Sequence, residues 1–120
     1  MEQHTLFGER ILEGSSSPLI QLAALIAASH HEKWDGSGYP RALKGSCIPI
    51  AGRIAAVAAV FDALTSQRTY KNAWPLEDSR QYLVEQRGRH FDPACVDALL
   101  RRWDDVKAIC SGERHLVLAA

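Results

Sequence analysis

Residues 51–66 read Ala51-Gly52-Arg53-Ile54-Ala55-Ala56-Val57-Ala58-Ala59-Val60-Phe61-Asp62-Ala63-Leu64-Thr65-Ser66, and from Ile54 to Phe61 every side chain is apolar. The length of the segment decides for a helix over a strand, and a helix that is apolar on all sides belongs at the centre of a bundle. The flanking segments are helical too. Upstream, Leu6, Ile11 and Leu12 mark one side of a short helix over residues 1–13, stopped by Gly14 and the serines after it. Ser17 as N-cap and Pro18 at the first helical position open a second helix. Its wide apolar face, with Leu19, Leu22, Leu25 and Ile26, is expected to be buried, and it ends near His30 and His31. Residues 34–50 follow neither period and are expected as an ordered loop or lid. Downstream, Trp74-Pro75 breaks the chain, residues 76–86 form an amphipathic helix closed by Gly88, and Asp92-Pro93 starts another with Val96, Leu99, Leu100 and Trp103 on its apolar side. After Asp105 the pattern fades, and only residues 115–118 look strand-like. The expected fold is therefore an all-α bundle of about five helices, a domain over residues 1–105 followed by a tail over 106–120.

The 120 residues are 47% hydrophobic and 23% charged, ordinary values for a folded globular chain, and the length suits one domain rather than two. Fourteen Lys plus Arg balance fourteen Asp plus Glu. That balance excludes a broad electrostatic claim on duplex nucleic acid or an anionic membrane, so any anion binding must be local. The apolar run is bounded by Arg53 and Asp62, far short of the roughly 20 residues a membrane helix needs. Cys47, Cys95 and Cys110 are odd in number without a C-x-x-C pair, and the start of the sequence lacks a signal-peptide pattern. A cytoplasmic location is expected.

Of the histidines, His4, His30 and His31 fall on or at the ends of helices that must pack around one apolar centre. Adjacent imidazoles at a helix end can enter one pocket, and imidazole suits Zn, Fe, Mn and Ni alike. A simpler reading makes His30 a helix C-cap, where a cation is favourable, and His31 a surface side chain. The stretch that follows is rich in special residues, and Gly38-Tyr39-Pro40 forms a fixed turn that either serves a site or simply covers the bundle end. Glu32 and Asp35 read either as partners that orient an imidazole or, more commonly, as solvated loop carboxylates.

The string HHEKWDGSGYPRALKGSCIPIAGRIAAVAAVFDALTSQRTYKNAW, residues 30–74, resembles the second half of an HD-GYP domain, the bacterial family of cyclic-di-GMP phosphodiesterases within the HD superfamily. His4-Thr5 with Gly8, Ile11 and Leu12, and Gly88 with His90-Phe91-Asp92-Pro93, extend the match over residues 1–100. The resemblance implies metal ligation by His4, His30 and His31, with Gly38, Tyr39 and Pro40 as the signature turn beside the site. It also implies contact of Arg68 and Lys71 with substrate phosphates, which suits a forked guanidinium and an ammonium point charge.

Two departures from the family pattern shape the functional expectation. The sequence starts just before His4, so the family's upstream His-Asp pair and lysine are absent from it. Where the family carries a ligand aspartate, this sequence has Ala59. Asp62 lies three residues on, about 60° around the helix, and is expected to act from behind the ligands. The implied cofactor is at most one divalent transition metal, Fe, Mn, Zn or Ni, or none. No catalytic residue is assigned, the chain alone is expected to be inactive, and cyclic-di-GMP binding is expected to be weak or lost. The alternative is a non-catalytic regulatory or interaction module, in which the apolar face over residues 19–26 pairs with a protein partner or a second copy.

Overall fold

The computed structural model describes residues 17–67, 69 and 71–111, and within them the apolar segment is one continuous helix. In chain order the helices are α1 (Pro18–Ser29), α2 (Ile50–Thr65), α3 (Leu76–Glu85), α4 (Pro93–Arg101) and α5 (Trp103–Cys110), with a 3-10 turn at Gly45–Cys47. No strand occurs among the described residues, so the architecture is the all-α bundle expected. α2 packs against α1, α3 and α4, which is the central place its composition demands. The expected helix over residues 1–13 and the strand-like 115–118 lie outside the described residues.

Local chemistry sets the helix starts. Ser17 Oγ accepts the Ile20 N–H at 3.5 Å ahead of Pro18, and Asp92 Oδ1 accepts the Ala94 N–H at 2.9 Å ahead of Pro93. Gly88 takes a φ of 78°, which lets the chain turn back so that its N–H reaches Phe91 O at 2.9 Å. The core forms between α2, α3 and α4 from Val57, Leu83, Phe91 and Val96, flanked by Val60, Phe61, Leu99 and Leu100.

Two expectations change. The broad apolar face of α1 is not buried throughout: Leu19 is 73% exposed and Leu22 and Leu25 are exposed, while Ala24, Ala28 and Ser29 face inward. The reason is close approach, since α1 meets α2 through its small residues, and Gly52 of α2 lies directly under Ser29. Nor does the helix fade after Asp105. The chain leaves helical geometry at Arg102 (φ −108°, ψ 27°) and resumes as α5, whose first turn carries Asp104 and Asp105 in favourable interaction with the helix dipole.

Arg53 ties the elements together. Its Nη1 donates to Asp92 Oδ2 at 2.9 Å, its Nε donates to Ile48 O at 2.9 Å, and its guanidinium lies 6.0 Å from the Trp34 ring centre. Burial pushes the Asp92 carboxyl up, but the Arg53 hydrogen bond, the Ala94 N–H, the Cys95 thiol and the Arg53 charge together hold it below the ordinary carboxyl value. Ile50 and Ile54 of α2 stay exposed and line an apolar groove of about 580 Å³ with Val57, Leu99 and Val106.

The α1–α2 contact is directly testable. A Cβ on Gly52 would fall 2.7 Å from Ser29 Cβ and 3.1 Å from Ser29 O. Alanine in a helix interior normally gains about 1 kcal/mol over glycine, yet overpacking here costs about 1–3 kcal/mol. Gly52→Ala is expected to lower the urea midpoint, and a second change, Ser29→Gly, is expected to restore part of it.

Candidate functional site

The site begins where α1 stops. His30 is the C-cap: its backbone N–H donates to Ile26 O at 2.9 Å and its ring Nδ1 donates to the same carbonyl at 2.8 Å. A proton on Nδ1 puts the lone pair of the neutral ring on Nε2, the atom able to ligate a metal. His31 follows with its ring centre 4.0 Å from that of His30, tilted by 45°. On its other side the Tyr39 ring stacks at 4.9 Å and 14°, and Tyr39 N–H donates to His31 O at 3.2 Å. The capping role of His30 and the pairing of the two imidazoles thus occur together, with Gly38 and Tyr39 against residues 31–33. The Tyr39–Pro40 peptide is cis.

The loop that carries this turn is fastened at both ends. Trp34 N–H donates to His90 O at 3.0 Å and Asp35 N–H to Arg89 O at 2.9 Å, which joins the loop to the α3–α4 turn. Ile48, at the other end, is 2% exposed and its carbonyl is held by Arg53. Asp35 closes a local turn by accepting from Ser37 N at 2.9 Å and Ser37 Oγ at 2.6 Å, and these bonds keep its carboxyl below the ordinary value. Glu32 behaves otherwise. It is 1% exposed, and its carboxylate accepts the N–H groups of Arg41 at 2.8 Å and Leu43 at 2.9 Å.

Sequence reasoning gave Glu32 no such role, because its partners are backbone donors nine and eleven residues away. The other residue it undervalued is His90, named only within the string His90-Phe91-Asp92-Pro93. His90 does stack on Phe91, with ring centres 4.3 Å apart, but it also lies within the field of His31. Burial first, then the Lys33 ammonium and His31, push its imidazole down to about 4 against the pull of Asp35.

The remaining expected residues are placed as follows. His4 and Arg68 lie outside the described residues. Lys71 Nζ donates to Ala63 O at 2.8 Å and Asn72 O at 3.4 Å, so it caps the last turn of α2. Asp62 is exposed and accepts Ser66 Oγ at 3.1 Å. Ala59 is exposed on the same helix. As a metal site, the donor chemistry fits but the count falls short. Among the described residues no third His, Cys, Asp or Glu joins His30 and His31, whereas bound zinc usually has three or four protein ligands.

A family model described as HD domain matches residues 1–95. The chain is 53% identical over 109 residues to the 3'3'-cGAMP-specific phosphodiesterase 2 of Vibrio cholerae, covering 91% of this chain and 21% of that protein. It is 54% identical over 110 residues to a cyclic di-GMP phosphodiesterase response regulator of Xanthomonas campestris, covering 92% and 29%. It is 47% identical over 114 residues to a cyclic di-GMP phosphodiesterase of Thermotoga maritima, covering 95% and 31%. The chain therefore spans less than a third of the length of these relatives. The crystal structure of a cyclic GMP-AMP specific phosphodiesterase from V. cholerae superposes with a TM-score of 0.73 at 24% identity, over 90% of this chain and 24% of that one, and shares its fold.

His90 makes stability depend on pH. Between about 4 and 6.5 the unfolded chain binds a proton there that the folded chain does not. The stability contributed by a neutral His90 is therefore fully present above pH 6.5 and is lost as pH falls toward 4. Urea unfolding of metal-free protein at pH 7 and pH 4.5 is expected to show the loss, and His90→Gln is expected to flatten it.

Proposed function

Because this chain belongs to the HD domain family, we propose that it is a cyclic-dinucleotide phosphodiesterase-type protein whose histidine pair binds one metal ion and whose own hydrolytic turnover is lost or very low. The observation that supports this most is the His30–His31 pair, packed at the end of α1 against the Tyr39 ring. The proposed ligands are His4, His30 and His31, and the ion is a divalent transition metal, Fe, Mn, Zn or Ni, since imidazole accepts each of them. The relatives named for cyclic di-GMP and 3'3'-cGAMP supply the substrate class. A cytoplasmic location is part of the proposal, supported by three cysteines that are free in the structure and lack a C-x-x-C pair.

A bound ion would supply Lewis acidity and an acidified water. The chain's own residues do the rest. The Ile26 carbonyl holds the His30 tautomer, and the Tyr39 face limits rotation of His31. Arg68 and Lys71 are proposed to meet the phosphates, Lys71 with its ammonium already anchored on Ala63 O so that its charge stays near the end of α2. Asp62, displaced from position 59, is proposed to act from behind the ligands. The deficiency follows from Ala59, because a side chain without a carboxylate cannot offset the charge of a second dication. Losing a metal-activated nucleophile raises the barrier by several kcal/mol.

A second reading has an observation of its own. Leu19, Leu22 and Leu25 are exposed on one helix, and contiguous exposed apolar side chains commonly meet a partner. In that reading the chain is a non-catalytic regulatory or interaction module that pairs through residues 19–26 with a protein or with itself.

Elemental analysis of the full chain, with hydrolysis assays on cyclic di-GMP and 3'3'-cGAMP, tests the first reading. One metal or less per chain is expected, absent from a His30→Ala, His31→Ala variant, with no hydrolysis above blank. Ala59→Asp is expected to raise metal affinity, and Lys71→Ala to weaken dinucleotide binding. Robust turnover by the unmodified chain overturns the deficiency. Absence of metal from both proteins, with concentration-dependent self-association, favours the interaction module.

A further inference from the structure

We infer that Glu32 is the positioning residue of the histidine pair: its buried carboxylate, clamped by the backbone of residues 41–43, holds in place the Tyr39 ring that fixes the plane of His31. The inference deepens the proposed metal site, and it rests on that reading only for its effect on metal affinity.

A carboxylate is costly to bury unless its oxygens are satisfied. The polar partners of the Glu32 side chain among the described residues are two backbone N–H groups, with Arg41 N donating to Oε2 and Leu43 N to Oε1. Each oxygen thus takes one charge-assisted bond. What brings the two N–H groups to one carboxylate is Ala42, which adopts a φ of 52°. A left-handed residue between two others turns their amides to the same side and makes a concavity that favours an anion. L-residues avoid that region at a cost, and here the anion that compensates is the chain's own Glu32. It pins residues 41–43 at the end of the turn.

The other end of the turn is pressed onto the histidines. A Cβ on Gly38 would collide with Lys33 N, His31 O and Glu32 C, so Gly38 lies flat on the backbone of residues 31–33. Tyr39 N–H then reaches His31 O at 3.2 Å, and its ring lies within 14° of parallel to His31. Residues 38–43 are therefore held between the backbone of the pair and the side chain of the next residue along. Releasing Glu32 frees the far anchor, and the Tyr39 wall loses its fixed distance from His31. A carboxylate that served stability alone would leave the His31 ring environment unchanged in a variant that still folds.

The experiment uses the full chain, metal-free, as wild type, Glu32→Gln and Tyr39→Leu. Gln keeps the shape of the side chain but turns an NH2 group toward one of the two amide donors. Ring stacking shifts the His31 ring protons upfield in the NMR spectrum, and Tyr39→Leu is expected to abolish that shift. Glu32→Gln is expected to abolish it as well, with helix content unchanged by circular dichroism, and to weaken Zn²⁺ affinity by about 10–100-fold, as loss of an outer partner does. A folded Glu32→Gln protein that keeps the His31 shift overturns the inference. Should that variant not fold, the wild-type amides decide: slow hydrogen exchange at both Arg41 and Leu43 upholds the clamp, and free exchange at either overturns it. If the wild type binds no Zn²⁺ while the His31 shift still disappears in Glu32→Gln, the metal reading fails and the positioning role stands.

Discussion

The ion pair between Arg53 and Asp92 is the constraint on which the rest of the structure hangs. Asp92 is 5% exposed, so its charge would be expensive without a partner. The geometry meets that cost because neither group depends on the pair alone. Arg53 also donates to Ile48 O, and Asp92 also accepts the Ala94 N–H that caps α4. One contact therefore sets the distance from α2 to α4, starts α4, and fixes the point where the long loop re-enters α2. With the opposite end of the loop paired to residues 89 and 90, the turn that borders the histidines is strung between two fixed points.

How much of this was legible in the sequence follows from the range of each interaction. Caps act over two or three residues, and Ser17-Pro18, Gly88 and Asp92-Pro93 placed the helix ends within a residue or two. The central position of α2 was legible from its all-round apolar surface. The exposed leucines of α1 were not, because hydrophobicity reports what burial would gain and not whether a neighbour is there to supply it. The small residues on the other side, Ala24, Ala28 and Ser29, carry the contact with Gly52. The continuation into α5 was missed for a related reason: its apolar pattern is thin, and its start depends on acidic residues in the first turn.

At the site, the residue types were legible and the way they are held was not. The histidines, Gly38, Tyr39 and Pro40 form a local string whose spacing speaks for itself. Glu32 and Arg53 act on backbone groups, and backbone donors carry no sequence signal of their own. His90 illustrates the same limit in electrostatics. Its low pKa arises from burial and from Lys33, a residue 57 positions earlier that only the folded loop brings near.

The supports of the histidine pair and the charge of the proposed metal site lie on different residues, which separates shape from charge. His30 Nδ1 is held by Ile26 O, and the His31 ring stacks on Tyr39. None of these contacts involves position 59. Alanine there, where the resembled family is expected to carry an aspartate, leaves the cap, the stack and the loop anchors as they are. The expected consequence for the proposed site is a change of charge without a change of shape: the imidazole pair keeps its supports, in surroundings less able to hold two adjacent cations. In the proposed reading, ion binding would outlast hydrolysis, because holding an ion would need only donors in place, whereas acidifying a water would also need negative charge that Ala59 cannot provide.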